Sequence, residues 1–450
     1  MLIKEMQSPP TITDLTKMLA DSLHEVRGAE SHSIPVDAIE SASSLVYRAM
    51  TNQSRHYHDL SHLFDVADDL PALAKLAAIY HDVVYFSVDG GLTPEVSKSI
   101  GDAIAFHDDR IFLSTLPNEM VLDVATIFGF TSVQEVKLEN GLSEFLSAVL
   151  AVRELSKFLN DQKLWAVAAC IEATIPFRSA VNGLTPEDLL GKRLGSLRRG
   201  NLALTEEEIH EIKLLAVKIA NADVQSFGKP DLSNFIANTW QILSESNKNF
   251  HQSGSFFIRM YREDLMRMKT FLSMLQPKVI FRQYGNTPDH DAYQAQIECS
   301  RNHLRDSLEY VKAHIAAITV VEALAELSGG DAPLSDFIGA ADSGIFQYLD
   351  GVNSDHSLRN EKALAELKRR HAGVQRFDHA LLPLAAYFYE LLGTDGISEL
   401  VDRAHDVLAG KQNWTWFLTV LPRDILSPIV TVISQCAVMR KDRLAEWISL

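Results

Sequence analysis

Cysteine is scarce in this chain of 450 residues, which contains only Cys170, Cys299 and Cys436. Three cysteines that lie far apart in the sequence exclude a disulfide framework and a zinc ribbon. The first residues, MLIKEMQSPPTITDL, lack the apolar core of a signal peptide. Both features favour a reducing compartment, and we expect the protein to be cytoplasmic.

Long hydrophobic runs are also absent, and no uninterrupted apolar segment reaches the roughly 18 residues of a membrane-spanning helix. The closest is ILSPIVTVISQCAVM, residues 425–439, which is shorter and contains Pro428. We therefore expect this segment to form a buried helix, and we expect no membrane partner.

Positive charge is in deficit, because 42 Lys and Arg residues face 59 Asp and Glu residues, which gives a net charge of −17. An acidic surface repels a phosphate backbone, which argues against broad nucleic-acid binding. A small phosphorylated substrate remains compatible with this charge, since a bound metal ion reverses the local field. The sequence sets no oligomeric state, and a homodimer is left open.

Alternating strand patterns are few and short, whereas apolar residues at three- and four-residue spacing run through most of the chain. One such segment, LTEEEIHEIKLLAVKIANAD, opens with Thr205 and Glu208 in the register of a capping box. We predict an all-α fold. The turn-rich segment YGNTPDH separates a predicted N-terminal domain, 1–285, from a C-terminal helical domain of unknown role, 286–450.

Three histidines crowd one predicted helix, RHYHDLSHLFDV, which spans residues 55–66. Because residues four apart share a helical face, His58 and His62 are expected to project together, whereas His56 points to roughly the opposite face. Histidine is a mediocre helix former, so the cluster is either a set of ligands or an accident of a polar face.

A second predicted helix, LPALAKLAAIYHDVVY, ends with another ionisable pair, His81 and Asp82. The chain is expected to reverse near residue 70, with Asp69 as the N-cap and Pro71 as the first helical residue. At a helical rise of about 1.5 Å per residue, the segment from His62 to the turn and the segment from the turn to His81 have similar lengths. An antiparallel helix pair would therefore bring His62, His81 and Asp82 together.

Imidazole and carboxylate together form the ligand set of a divalent transition metal, and three protein ligands leave positions for water or substrate. Asp223 is a fourth candidate, because it lies late in a long apolar helix where an unpaired carboxylate is costly. We predict that His62, His81, Asp82 and Asp223 bind Mn²⁺, Fe²⁺, Zn²⁺, Co²⁺ or Ni²⁺. An adjacent oxygen-rich position would suit Mg²⁺.

Three segments in this order resemble the HD superfamily of metal-dependent phosphohydrolases. YHDLSHLFDV is similar to the Y-H-N-x-x-H-A-x-D-V motif of the class I cyclic-nucleotide phosphodiesterases. RHYHDLSH and YHDVVY are still more similar to the R-x-Y-H-x-x-x-H and F-H-D-x-V-Y stretches of a bacterial family of predicted HD-type phosphohydrolases. NADVQSFG resembles the aspartate segment that follows in both. The resemblance covers roughly residues 40 to 285.

The resemblance implies an HD-like helical bundle with a C-terminal extension, and it gives the four predicted ligands the same role. Asp82 would also take part in catalysis as a ligand at the reaction centre. The resemblance implies that His58 protonates the leaving oxygen. A histidine one turn from a ligand would lie at the edge of the metal with a usable pKa, which fits that role.

Residues around the ligands also receive roles from the resemblance. Arg55 opens the first motif and is expected to bind substrate or to support the ligands. Asp65 is expected to fix the tautomer of a ligand histidine. Glu95, in LTPEVSKS, resembles a glutamate that holds water at the metal.

Two positions depart from the phosphodiesterase pattern, since Tyr85 and Phe177 stand where histidines support a second metal ion. We therefore expect a single ion, or a second ion that is held weakly. In the nearby segment EATIPFR, Glu172 and Arg178 are alternatives for binding water or phosphate.

Two further features can be interpreted either as functional or as ordinary solvated surface elements. His107 and Asp108 form a second HD dipeptide without a partner histidine upstream, and we interpret them as a solvated helix end. The basic cluster formed by Lys192, Arg193, Arg198 and Arg199 is either a lid over substrate phosphate or a solvated flexible loop.

The sequence leaves two classes of function open. In the first, the protein is a phosphohydrolase in which a metal-activated water attacks the phosphorus of a phosphomonoester or phosphodiester, which we expect to be a nucleotide, and His58 is the general acid. In the second, a degenerate HD domain senses a nucleotide or a metal and signals through its C-terminal helices. Loss of the two supporting histidines favours the sensor, and retention of the ligands and of His58 favours the enzyme more strongly.

Overall fold

The structure is a computed structural model that describes residues 9–28, 34–108, 110–114, 118–131, 133–246, 256–339, 359–369 and 382–449. The described residues are 72% helical and form one small sheet. The all-α fold that the apolar spacing predicts is therefore confirmed.

The described helices are α1 (Ile12–Arg27), α2 (Val36–Met50), α3 (Leu60–Ala67), α4 (Ala72–Tyr80), α5 (Phe86–Asp89), α6 (Pro94–Ile100), α7 (Glu119–Phe128), α8 (Leu142–Leu155), α9 (Asp161–Ala173), α10 (Pro186–Ser196), α11 (Glu206–Asp223), α12 (Leu232–Ser246), α13 (Ile258–Met274), α14 (Pro277–Ile280), α15 (His290–Ser328), α16 (Ser335–Ile338), α17 (Glu361–Lys368), α18 (Leu382–Leu408), α19 (Trp414–Thr419), α20 (Arg423–Cys436) and α21 (Lys441–Ser449). The strands β1 (Ile104–His107) and β2 (Arg110–Leu113) pair antiparallel, with Ile104 opposite Leu113.

The chain divides into two compact units, which we call unit 1 (Met1–Pro230 and Gln276–Ser300) and unit 2 (Asp231–Leu275 and Arg301–Leu450). Each unit is thus built from two separate segments of the chain. The domain boundary predicted after residue 285 stays a prediction.

Helix α9 is the centre of unit 1, and α4, α7, α8 and α11 pack around it. Every residue from Leu164 to Ala173 is buried, so this helix meets protein on all sides. A helix that is apolar around its whole circumference has no solvent face, which explains why the sequence of α9 shows little amphipathic pattern.

Side-chain caps fix the starts of several helices. The predicted capping box at Thr205 and Glu208 is present at the start of α11, and Thr11 with Asp14 forms another at the start of α1. Such caps satisfy amide groups that a first helical turn leaves without partners. The caps therefore set where α11, the helix that carries Asp223, begins.

The hairpin of α3 and α4 differs in detail from the prediction. Helix α3 begins only at Leu60, because the Asp59 side chain accepts hydrogen bonds from the amides of Ser61 and His62. The predicted helix over 55–66 is therefore wrong in its first turn. At the turn itself, Pro71 is the N-cap of α4, whereas Asp69 lies outside the helix in a left-handed conformation with φ of +56°.

The apolar segment 425–439 forms most of α20, and its residues Ile429, Val430 and Ile433 are fully buried. The prediction of a buried helix is confirmed here. In the part of the chain that the structure describes, no helix has both the length and the apolar character that crossing a membrane requires.

Candidate metal centre

Four side chains from three helical segments converge in unit 1, and their ligand atoms all lie within 4.8 Å of one another. Nε2 of His62 is 3.1 Å from Oδ1 of Asp223, and Nε2 of His81 is 3.0 Å from Oδ2 of Asp82. The crossed distances are 3.7 Å from His62 to Asp82 and 3.5 Å from His81 to Asp223. The structure therefore brings together the four predicted ligands.

The ends of helices position these side chains. His62 lies in the first turn of α3, His81 and Asp82 directly follow α4, and Asp223 is the last residue of α11. Because α3 and α4 are antiparallel neighbours and α11 packs on both, the three segments meet at one point. The convergence depends on packing between residues up to 161 positions apart.

The chemistry of the donor set fits a cation. Nδ1 of His81 lies 2.8 Å from the carbonyl oxygen of Ala78, which can only accept, so Nδ1 carries a proton and Nε2 is the nitrogen that offers a lone pair when the ring is neutral. Nε2 of His81 and Oδ2 of Asp82 are both buried, and neither makes a hydrogen bond within the described part of the chain. Buried polar atoms without partners are costly, and a bound divalent ion would satisfy both.

The pKa values of the four groups reflect their closeness. Burial opposes a charge on His81, but the carboxylates of Asp82 and Asp223 raise its pKa well above the usual value. Burial also opposes ionisation of the two carboxyl groups, yet the histidines lower the pKa of Asp223 to about 2 and lower that of Asp82 as well. The two carboxylates therefore stay ionised, and positive charge is favoured between them.

The side chain of Arg55 is fully buried and hydrogen-bonds to the backbone next to the candidate ligands. Nε and Nη2 donate to the two carboxylate oxygens of Asp89 at 3.0 and 2.7 Å. Nη1 donates to the backbone carbonyls of Asp82 and His58, at 2.6 and 3.4 Å, and Nη2 donates to that of Val83 at 3.2 Å. Of the two roles that the sequence left open for Arg55, this geometry fits support of the ligands.

His58 lies beside the four ligands in the turn before α3, and not on the helix as predicted. Its ring centroid is 5.4 Å from that of His62 and 4.7 Å from that of Tyr85. A positive charge on the His58 ring would lower the pKa of Asp82. Within the described residues, His58 is not part of the group of four ligand atoms.

The structure does not bring Asp65 or Glu95 to a ligand. The Asp65 side chain is exposed, and among the described hydrogen bonds none joins its carboxylate to a ligand histidine. Glu95 lies on α6, where its half-exposed carboxylate pairs with Arg48 at 2.5 Å. Neither side chain has contacts that fit the role that the resemblance implies.

Two members of the basic cluster, Lys192 and Arg193, lie on helix α10 and not in a loop, and the lid over substrate phosphate stays a prediction. Arg193 lies on α10 and donates to Glu172 at 2.7 Å. Arg199 pairs with Asp123 and Asp161, each at 2.5 Å. Carboxylates on neighbouring elements therefore anchor two of the four basic side chains.

Glu172 and Arg178 contact each other. The carboxylate of Glu172 is buried and accepts from both Arg178 and Arg193. Burial alone would raise the pKa of Glu172, but the two arginines lower it, so the group is ionised. The interpretation of Glu172 as a water ligand is therefore not supported, because its oxygens are already occupied.

The second HD dipeptide is on a β-hairpin and not at a helix end. His107 is the last residue of β1, and Asp108 follows with φ of +46°. Both side chains are exposed, as predicted.

Sequence reasoning missed Glu144, in the first turn of α8. Burial raises the pKa of Glu144 to about 7, and the charges of Asp82 and Asp223 add to this effect. Within the described residues, no hydrogen bond or ion pair joins its carboxyl group to another residue. The sequence feature that could have identified Glu144 is its place directly before the apolar segment FLSAVLAV, but no recognisable motif surrounds it.

Comparison of the chain with family models, curated proteins and solved structures finds no match.

Proposed function

We propose that the protein is a metal-dependent phosphohydrolase of the HD type that acts on a small phosphomonoester or phosphodiester. The observation that carries this proposal is the convergence of two imidazoles and two carboxylates within 4.8 Å. Three or four such ligands bind a divalent transition metal and leave open positions for substrate. The order of the motif segments in the sequence supports the HD assignment. A nucleotide is the substrate class that the motif resemblance favours.

A divalent ion held by His62, His81, Asp82 and Asp223 would supply Lewis-acid chemistry at a phosphoryl oxygen. His58 lies next to this group without belonging to it, and an imidazole there donates a proton to the leaving oxygen. Arg55 keeps the backbone of His58 and Asp82 in place, so the proton donor and a ligand share one buried support.

Glu144 is the proposed proton acceptor for the attacking water. A carboxyl group with a pKa of about 7 exchanges a proton readily at neutral pH. The charges of Asp82 and Asp223 act on Glu144, and no ion pair to another described residue occupies its oxygens, which leaves them available for a water molecule.

An assay of phosphate esters tests the proposed function. The protein is incubated with Mn²⁺ and a panel of nucleoside monophosphates, cyclic nucleotides, p-nitrophenyl phosphate and bis-p-nitrophenyl phosphate. We expect turnover of at least one ester and its loss in His81→Ala. His107→Ala is the matched control, since it removes the histidine of the other HD dipeptide, and it should keep full activity. Activity that survives in His81→Ala would refute the proposal.

The sensor remains the second candidate because Tyr85 and Phe177 occupy the two positions where the phosphodiesterases carry histidines. It predicts that a Mn²⁺-loaded protein binds one member of the same panel tightly without converting it. Nucleotide binding measured by calorimetry alongside product analysis separates the two functions.

A further inference from the structure

A group of buried charges in unit 1, which we call the arginine cluster, lies near the candidate metal centre. It consists of Arg178, Arg193, Arg282, Glu172 and Glu187. Their side chains are between 1% and 24% exposed. Three positive charges face two negative ones, so the cluster has one uncompensated positive charge in a region largely closed to solvent.

The excess positive charge is shared across the cluster, because the one carboxylate of Glu172 pairs with two arginines and Arg282 lacks a hydrogen bond to its neighbour Glu187. Arg178 and Arg193 both hydrogen-bond to Glu172, whereas Nη1 of Arg282 is 3.7 Å from Oε1 of Glu187, beyond hydrogen-bond distance. Oε1 of Glu187 is buried and makes no hydrogen bond in the described residues. The side chain of Arg282 is 10% exposed, and Nη2 donates to the carbonyl of Ile175 at 2.8 Å. Its other donors make no hydrogen bond in the described part of unit 1.

The backbone fixes Arg282 to the helix that carries a metal ligand. The amide of Arg282 donates to Oδ1 of Asn221 at 2.8 Å, and Nδ2 of Asn221 donates to the carbonyl of Arg282 at 2.9 Å. Asn221 lies two residues before Asp223 at the end of α11. Burial and then the neighbouring Arg178 lower the pKa of Arg282 to about 10, while Asp223 acts in the opposite direction. The backbone of Arg282 is therefore fixed to α11 two residues before the candidate ligand Asp223, and the charge of Asp223 acts on its guanidinium group.

We propose that Arg282, together with Arg178, binds the non-reacting oxygens of a terminal phosphate group, so that the site selects phosphomonoesters over phosphodiesters. This inference rests on the proposed function. A terminal phosphate carries close to two negative charges at neutral pH, whereas a diester carries one. Guanidinium groups bind phosphate oxygens through paired, charge-assisted hydrogen bonds. The cluster, with its extra positive charge, compensates the second negative charge that only the monoester brings.

Inorganic phosphate binding tests the inference without requiring catalysis. Calorimetry on the Mn²⁺-loaded protein should give a Kd for phosphate at least tenfold lower than for dimethyl phosphate. Arg282→Gln should weaken phosphate binding about 10- to 100-fold, the effect of losing a charge-assisted contact, while its Mn²⁺ content stays that of the wild type. Arg282→Lys, which keeps the charge without the planar fork, should fall between the two. Arg199→Gln is the control, because Arg199 pairs with Asp123 and Asp161, outside the cluster.

Two results would overturn the inference: equal affinity of the wild-type protein for phosphate and dimethyl phosphate, or an unchanged phosphate Kd in Arg282→Gln. The first comparison uses only wild-type protein, so it holds even where a variant folds poorly. Phosphate binding that depends on Arg282, without hydrolysis of any ester, would support the inference and contradict the proposed function. Hydrolysis with phosphate binding that is independent of Arg282 would do the reverse.

Discussion

Arg55 donates from Nη1 to the backbone carbonyl of Asp82 across 2.6 Å, although 27 positions separate the two residues. The same guanidinium forms a buried, two-point ion pair with Asp89. One side chain therefore links the turn before α3 to the residues that follow α4. Its position makes it a positioning residue for Asp82, with no direct contact to the site between the ligands.

We expect Arg55→Met to lose metal affinity and stability together. Removing one partner of a buried ion pair leaves Asp89 uncompensated and costs about 3–5 kcal/mol of unfolding free energy. A displaced supporting group typically lowers metal affinity about 10- to 100-fold. Arg48→Met is the matched control, because the Arg48–Glu95 pair is more than half exposed on both sides, and it should cost under about 1 kcal/mol. Denaturant unfolding and Mn²⁺ titration measure both effects, and equal effects of the two variants would contradict this role.

The four candidate ligands should be needed for metal content. We expect Asp82→Ala and Asp223→Ala to contain far less divalent metal than the wild-type protein, since each removes one of about four bonds to the ion. Elemental analysis after purification, followed by removal of the metal with a chelator and reloading with Mn²⁺, measures this. If the wild-type protein binds no more metal than Asp82→Ala, there is no metal site here.

His58 and His62 should differ in what their removal does. His62→Ala should lose metal, whereas His58→Ala should keep it and lose about 10² to 10⁴ in rate, the usual contribution of a general acid. The loss of rate in His58→Ala should be smaller for nitrophenyl esters, because their leaving groups need little protonation. The exposed His56 provides the control, and His56→Ala should change neither quantity. Loss of metal in His58→Ala would make His58 a ligand, and Tyr57 or Tyr85 would then be the candidates for the acid.

Glu144→Gln should keep the metal and lose the acidic limb of the pH–rate profile. A general base works only when deprotonated, so the wild-type rate should fall as pH drops through the pKa of Glu144, which is about 7 and becomes lower beside a bound cation. Glutamine has the same shape but accepts no proton. Steady-state kinetics between pH 5 and 9 for both proteins measure the limb, and a profile that is identical in shape would exclude Glu144 as the base.

In unit 2, the buried His314 should make stability depend on pH. Nδ1 donates to the carbonyl of Tyr310 at 3.0 Å, and burial lowers the pKa of the ring to about 4. The folded protein keeps His314 neutral while the unfolded chain binds a proton below the ordinary pKa of about 6.5. Stability is therefore complete above pH 6.5 and is lost progressively towards pH 4, by roughly 3 kcal/mol in total.

The variant His314→Gln should lose this part of the pH dependence. Urea unfolding of the full chain at pH 7.5 and pH 4.5, followed by tryptophan fluorescence, measures the difference. Trp240, Trp414, Trp416 and Trp447 belong to unit 2, so the signal reports mainly on that unit. If the free energy of unfolding falls as much between pH 7.5 and pH 4.5 in His314→Gln as it does in the wild-type protein, groups other than His314 cause the pH dependence.

The sequence by itself determined the helical class and the identity of the four converging side chains. Apolar spacing is a local property, so α11 and its capping box at Thr205 and Glu208 could be predicted from neighbouring residues alone. The meeting of His62 with His81 and Asp82 also followed from local lengths, because a short turn returns one helix beside the other. Motif order then added Asp223, which no local argument could connect to the hairpin.

Only the tertiary structure decided how the surroundings of the four side chains are arranged. The cap at Asp59 competes with a longer helix, and it leaves His58 in the preceding turn. Glu95 pairs with Arg48 instead of reaching the site, and Arg193 on α10 pairs with Glu172 on a neighbouring helix. Glu144 and Arg282 come near Asp223 from distant parts of the chain. Such meetings depend on how buried helix faces pack, and a linear pattern encodes which faces are apolar but not which of them touch.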